Sequence, residues 1–193
     1  VFRNAAEVFK NWDGTHKRNA IGATIFHRLF YHLSISIFAD EIEEKGALVL
    51  LNVSLIDKSM PQLLNNSQSP WWDNLKTPEK REKQQEILQT AWVNAVQSLE
   101  KDYGSDLNSW EWGKIHTLEI KHLLGQKKPL NLLFNIGPFP VPGSKGVINQ
   151  FRHKYGPKEL EVSSGPSTRR VVDFGDAENS KGISPTGQSG YFF

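Results

Sequence analysis

The 193-residue chain contains no cysteine, which excludes disulfide scaffolds, thiol catalysis and cysteine-ligated zinc within this stretch. It also lacks an excess of one charge, because 23 Lys and Arg oppose 21 Asp and Glu for a formal net charge of +2. Such a small excess gives no electrostatic reason to expect nucleic acid as a partner. Neither the P-loop pattern nor the G-x-G-x-x-G pattern occurs, so we expect no cradle for a nucleotide phosphate.

Long hydrophobic runs are missing as well. Residues 29–39 contain no Asp, Glu, Lys or Arg, but a membrane span needs about 18 apolar residues, so this run predicts a buried helix and no membrane partner. No charged-then-apolar leader is visible, Val1 is not an initiator Met, and the sequence stops at the aromatic pair Phe192 and Phe193. We therefore expect the sequence to be a piece of a longer protein.

The first half of the chain has the periodicity of helices. An apolar stripe recurs every four positions, at Ile21, Ile25, Leu29, Leu33 and Ile37. A shorter apolar run, residues 47–56, predicts a second helix. The clearest pattern predicts a helix that begins at Thr77 as N-cap, continues with Pro78 in its first turn and stops at Gly104.

After about Trp110 the pattern changes to short strands and loops. Residues 115–122 alternate between apolar and polar side chains, as a half-buried strand does, and residues 130–134 and 170–174 are further strand candidates. The Gly- and Pro-rich segments between them predict ordered loops, because apolar residues are embedded in them. The sequence therefore predicts an α+β fold in one partial domain, with a helical part over 1–104 and a strand-and-loop part over 105–193.

The histidines give little indication of a metal site. His27 and His32 are five residues apart, not the four that place two ligands on one helix face. His116 and His122 would share a strand face, but no carboxylate between them has evident ligand geometry. We interpret these histidines as surface or hydrogen-bonded side chains, with His116 in a structural role.

Two other features suggest a catalytic or sugar-binding site, but each has a simpler structural interpretation. Residues 187–190 are half of a nucleophile elbow, but the G-x-S-x-G spacing is not met, so we interpret Ser189 as a turn residue. The six tryptophans could form a sugar-stacking platform. However, Trp92 lies on the apolar face of a predicted helix, and Trp110 and Trp112 lead into a predicted strand, so core packing is favoured for most of them.

Asp173 is the one carboxylate that we single out as a candidate catalytic residue. It follows Val172 in a predicted strand and would face away from that side chain. The alternative is a structural salt bridge to Arg169 or Arg170. From the residues alone both interpretations stay open.

Several motifs occur in the order that one enzyme family shows. They are NWDG at 11–14, SPWWD at 69–73, WEWGKIH at 110–116, NIGPFPV at 135–141, GVIN at 146–149, GPSTR at 165–169, DFGD at 173–176 and SPTGQSG at 184–190. Together they resemble the penicillin amidase family of N-terminal-nucleophile hydrolases, which includes penicillin, cephalosporin and acyl-homoserine-lactone acylases. The resemblance extends over nearly the whole chain and is most specific in its last third.

The resemblance implies a function and a place in a larger protein. It implies the later part of a β-chain with αββα architecture, a small-molecule amide substrate, and as partners the remainder of that β-chain and the α-chain of the same precursor. The nucleophile would be a Ser freed by self-cleavage, and it would lie outside residues 1–193 with the oxyanion Asn and the calcium ligands. It also implies no cofactor held by these residues alone, and a periplasmic or secreted protein. Asp173 matches a carboxylate that orients an active-site histidine in some cephalosporin acylases.

A second function from a different class competes with the acylase. It is a noncatalytic binding or scaffold module that keeps the fold and uses its tryptophans to contact carbohydrate or protein. The residue directly after the self-cleavage point distinguishes the two, because Ser, Thr or Cys there supports the acylase.

Overall fold

The computed structural model describes residues 1–53, 55–158, 160–166 and 168–183. The α-helices are α1 Phe2–Lys10, α2 Ile21–Asn52, α3 Leu55–Leu64, α4 Gln84–Tyr103, α5 Trp112–Ile115 and α6 Asn131–Phe134. The strands are β1 Thr117–Ile120, β2 Ile136–Pro140, β3 Arg152–His153, β4 Val162–Ser164, β5 Arg169–Val171 and β6 Lys181–Ile183. Short 3-10 helices cover Pro70–Trp72, Leu107–Trp110, Leu123–Gln126 and Ala177–Asn179.

The strands form three antiparallel pairs in the described part of the chain: β1 with β2, β3 with β4, and β5 with β6. Helices joined to small antiparallel sheets agree with the predicted α+β class. The αββα architecture and the division at residue 104 stay predictions.

Helix α2 carries the predicted apolar stripe on its buried face. It bends at Glu43, whose φ of 60° leaves the helical region. The prediction of one helix over residues 47–56 is wrong, because that run is divided between the end of α2 at Asn52 and the start of α3 at Leu55. No single helix in the described ranges is long and apolar enough to span a membrane, and α2 and α3 meet that test only as a pair bent by 107°.

Helix α4 begins later than the sequence pattern predicts. Its first residue is Gln84, so the predicted start at Thr77 is wrong. The Thr77 hydroxyl contacts the carboxylate of Glu82 at 2.9 Å and therefore closes a turn ahead of the helix. The side chain of Glu86 accepts the backbone N–H of Lys83 at the real start. The predicted end is confirmed, since Gly104 follows α4 with a φ of 86°.

Two strand predictions are also corrected. Residues 112–115 form α5, where the His116 N–H donates to the Trp112 carbonyl at 2.7 Å, so strand β1 starts only at Thr117. Residues 130–134 form helix α6 in place of the predicted strand. A five-residue segment with four apolar side chains is too short for its periodicity to distinguish a helix from a strand. Strand β5 ends at Val171, which leaves Asp173 in the loop after it.

The core lies where α2 packs against α4 and the segments around the tryptophans. Trp72, Trp110 and Trp112 are each at most 1% exposed, which confirms core packing for these three. Trp71, in contrast, is 41% exposed. The buried Trp112 Nε1 donates to the Gly143 carbonyl at 2.8 Å, so the loop at Gly143 is fixed to the core at this point.

Candidate functional site: a buried histidine cluster beside an apolar cavity

Four of the six histidines meet around Trp112. The His27 ring stacks on Trp112 with a centroid distance of 4.8 Å, and the His116 ring stacks on it at 4.4 Å. His153 stands perpendicular to His27 at 4.6 Å, and His16 lies 5.1 Å from the same ring. We call these four side chains the histidine cluster.

Different elements contribute the members of the histidine cluster. His27 belongs to α2, His116 follows α5 directly, His153 belongs to β3, and His16 lies in the turn before α2. The sequence gives no local signal of this convergence, because its positions lie far apart in the chain. The pairs His27–His32 and His116–His122 do not form, since His32 contacts Ser98 and His122 stacks on Phe134.

His27 is the most highly connected member of the histidine cluster. Its Nε2 lies 2.9 Å from His16 Nε2 and 3.1 Å from the Ser144 hydroxyl, and its Nδ1 lies 2.9 Å from the Tyr155 hydroxyl. A neutral imidazole carries one N–H, so one ring of the His16–His27 pair donates and the other accepts.

His116 and His153 differ in the polar groups that lie near their ring nitrogens. His116 Nδ1 lies 3.2 Å from the Val141 carbonyl, and its Nε2 lies 3.1 Å from the Phe151 carbonyl. Both ring nitrogens of His153 are buried without a hydrogen-bond partner in the described part of the chain. Buried polar atoms of this kind destabilise the fold unless other contacts compensate.

Burial lowers the pKa of every member of the histidine cluster, including the partly buried His16. Desolvation lowers the pKa of His27 well below 6.5, and the nearby His153 and His16 lower it further. Desolvation also lowers the pKa of His153 to about 3, with His116 and His16 adding to the effect. A general base at neutral pH needs a pKa near the working pH, so these imidazoles are poorly suited to proton transfer.

The histidine cluster does not form a metal centre with its surroundings. Across residues 1–53, 55–158, 160–166 and 168–183, no three His, Asp or Glu side chains converge closely enough to hold a metal ion. The arrangement is therefore best suited to packing and hydrogen bonding between elements.

An apolar cavity of about 530 Å³ borders the histidine cluster. Its apolar walls include Phe9, Phe26, Phe30, Leu33, Met60 and Leu88. His16, His27 and Tyr155 line its polar side, where Lys145 Nζ also lies 2.6 Å from Asp57 Oδ2. Lys145 and Asp57 form an ion pair, but the Lys145 nitrogen makes no well-aligned hydrogen bond within the described part of the chain.

Ser144, His27 and Tyr155 have the connectivity of a nucleophile, a base and an orienting group. Three observations favour a structural role for them. Ser144 is fully buried, His27 Nε2 also contacts His16, and burial raises the pKa of the Tyr155 hydroxyl, so that it stays protonated.

Asp173 lies exposed in the loop after β5. Its Oδ1 accepts the N–H groups of Gly175 at 2.9 Å and Asp176 at 3.2 Å, so the side chain holds a local turn. Among the described side chains it has no ion pair, although Arg170 is close in sequence. The side chain of Arg169 and the predicted turn at Ser189 lie outside the described parts, and a role for Asp173 in catalysis stays a prediction.

Comparison with known proteins identifies the family. The penicillin amidase family model matches residues 2–193. An acyl-homoserine lactone acylase QuiP of Pseudomonas fluorescens (strain Pf0-1) is 29% identical over 97% of the chain, which covers 22% of that relative. The QuiP acylase of Pseudomonas syringae pv. syringae (strain B728a) is 30% identical over 97% of the chain, which covers 23% of it. A third, from Pseudomonas aeruginosa, is 27% identical over 97% of the chain and is covered to 24%.

The chain thus spans less than a quarter of the length of these relatives, since the covered shares are 22%, 23% and 24%. Because the family model extends over almost every residue, the match does not rest on a single motif. The chain belongs to the penicillin amidase family.

Proposed function

We propose that this chain is part of an acylase that hydrolyses linear amides of small molecules. The observation that carries the proposal is the match to the penicillin amidase family over residues 2–193. Relatives named acyl-homoserine lactone acylases align with 97% of the chain and support it further. In this proposal the protein acts in the periplasm or outside the cell, and any calcium is held by residues outside this chain.

The proposed nucleophile is an N-terminal Ser outside residues 1–193. Its hydroxyl oxygen forms a bond to the amide carbonyl carbon while its proton passes to the Ser α-amino group or a nearby base. The amine leaves with a proton, and water then attacks the resulting ester to release the acid and restore the Ser hydroxyl. Backbone and Asn donors stabilise the oxyanion.

Residues 1–193 have a supporting role in this proposal. Three members of the histidine cluster are buried with lowered pKa values, and Ser144 beside His27 has no exposed surface. These properties fit a scaffold that holds the helical core against the strand-and-loop part. By itself the chain is expected to hydrolyse no amide.

An activity assay on the full-length protein tests the proposal. Phenylacetyl, glutaryl and long-chain acyl amides are offered to wild type and to Ser144→Ala as matched control. We expect turnover of at least one amide by both proteins. A processed and folded wild type that hydrolyses none of them would contradict the proposal and favour the noncatalytic module.

A further inference from the structure

The connection between β1 and β2 exposes an apolar surface. It contains the 3-10 helix Leu123–Gln126 and helix α6, which pack against each other. Four leucines there have large exposed fractions: Leu123 82%, Leu124 56%, Leu132 81% and Leu133 65%. We call these four side chains the leucine face.

The leucine face is held in place by a polar side chain beneath it. The Asn135 amide nitrogen donates to the Glu119 carboxylate at 3.2 Å and to the Gly125 carbonyl at 3.3 Å. The Asn135 Oδ1 accepts the backbone N–H of His122 at 3.1 Å. Three hydrogen bonds from one side chain thus join both arms of the connection.

Two further contacts make this connection a fixed structure. A Cβ atom at Gly125 would collide with the Asn135 amide, so the close approach requires glycine at that position. The rings of His122 and Phe134 stack with centroids 5.3 Å apart. The leucines therefore do not project from a loose loop that could fold them inward.

An ordered connection that exposes four leucines is typical of a surface that forms an interface. We propose that the leucine face is where another part of the same polypeptide packs. This inference rests on the proposed function, in which the chain is one part of a longer acylase. It adds to that function the surface through which this part joins the rest.

The occupant follows from the size of the relatives and from the neighbouring sheet. The chain covers only 22% to 24% of the QuiP acylases, so most of such a polypeptide is available to cover the face. All five residues of β2 beside the leucine face are exposed, and within the described part of the chain the sheet of β1 and β2 has two strands. A two-stranded sheet is marginally stable alone. Protein supplies both apolar side chains and hydrogen-bonding groups to such a surface, whereas lipid tails supply no hydrogen bonds.

Cysteine labelling of the full-length protein tests the proposal. The chain has no cysteine of its own, so Leu132→Cys introduces a single thiol into it, and the parent protein corrects for thiols elsewhere. Leu75→Cys is the matched control, because Leu75 is 62% exposed and precedes α4, outside the connection between β1 and β2. Maleimide labelling rates are measured in native and in unfolded protein, and Leu123→Cys replaces Leu132→Cys if that variant does not fold.

We expect the thiol at position 132 to react about tenfold or more slowly in native than in unfolded protein, since a covered site reacts only when it opens. Equal rates in the two states would overturn the proposal. Protection that disappears on dilution would assign the face to a second copy, and protection only after addition of phosphatidylglycerol vesicles would assign it to a membrane. Both results overturn it. Amide hydrolysis is measured on the same samples, so an inactive parent with a protected thiol counts against the proposed function alone.

Discussion

At the scale of single residues, the contacts of the histidine cluster fit a role in packing and not in catalysis. Its members are brought together from the helical part and from the strand-and-loop part, and their contacts use stacking and backbone carbonyls. No motif in the sequence predicts such a cluster, because its contacts include pairs far apart in the chain, such as His27 and His153.

Replacing His116 should affect stability and leave the chemistry unchanged. His116→Ala removes a ring that stacks on Trp112 at 4.4 Å and whose two nitrogens each lie near a backbone carbonyl, and it leaves a cavity. We expect a loss of about 2–5 kcal/mol in the free energy of unfolding of the full-length protein. Turnover per matured molecule should stay near that of wild type. A stable, matured variant that is slower by about 100-fold would show a role in proton transfer.

Acid should destabilise the fold through His153. Its pKa is about 3 when folded and near 6.5 when unfolded, so the unfolded chain binds the extra proton between these values. The free energy of unfolding is therefore highest above pH 6.5 and falls as the pH drops toward 3, by at most about 1.4 kcal/mol per pH unit for this group. His153→Phe, which cannot be protonated, should flatten that slope in denaturant titrations. An unchanged slope would show that His153 is already solvated.

Asp173 gives the residue-scale test of the candidate catalytic carboxylate. Asp173→Asn keeps an oxygen that can accept the N–H groups of Gly175 and Asp176. We expect a loss of at most about 1 kcal/mol of stability and unchanged turnover in the full-length enzyme. Melting temperature and turnover are measured together. A stable, matured but slow variant would instead establish that this carboxylate orients an active-site histidine.

At the scale of elements, the sequence predicts the end of helix α4 correctly and its start incorrectly. The end depends on a backbone conformation, whereas the start depends on which partner a side chain binds. Gly104 was a correct stop for α4, because its φ of 86° is a conformation that glycine adopts without strain. Thr77 was a wrong start, because its hydroxyl binds Glu82 and not a helix N-terminus. Residues 130–134 were a wrong strand, because so short an apolar run fits helix α6 equally well.

The conformation of Gly104 can be tested directly. Gly104→Ala forces a Cβ atom into the region at φ 86° and ψ 175°, which is essentially restricted to glycine, and should reduce stability by about 1–3 kcal/mol. Gly156→Ala is the matched control, since nothing lies within 4 Å of its Cβ position and its φ is not positive. Chemical denaturation of both variants measures the difference. Equal stabilities would show that the end of α4 relaxes at little cost.

At the scale of the whole molecule, this chain has a supporting role in the proposed acylase, and the catalytic groups lie in the rest of a longer protein. The motifs identified the family from sequence, and the match over residues 2–193 confirms it. Helices α2 and α4 and the buried tryptophans form a core, and the leucine face stays exposed outside it. In the proposed acylase the nucleophile lies elsewhere in the polypeptide.

Trapping the acyl-enzyme tests this division most directly. Full-length protein is mixed with an amide substrate, quenched in acid during the steady state and digested, and the acylated peptide is located by mass spectrometry. The account predicts an acyl ester on the N-terminal Ser of a processed chain and unmodified peptides throughout residues 1–193. An acyl group on Ser144 or Ser189, with turnover abolished by replacing that Ser with Ala, would contradict it.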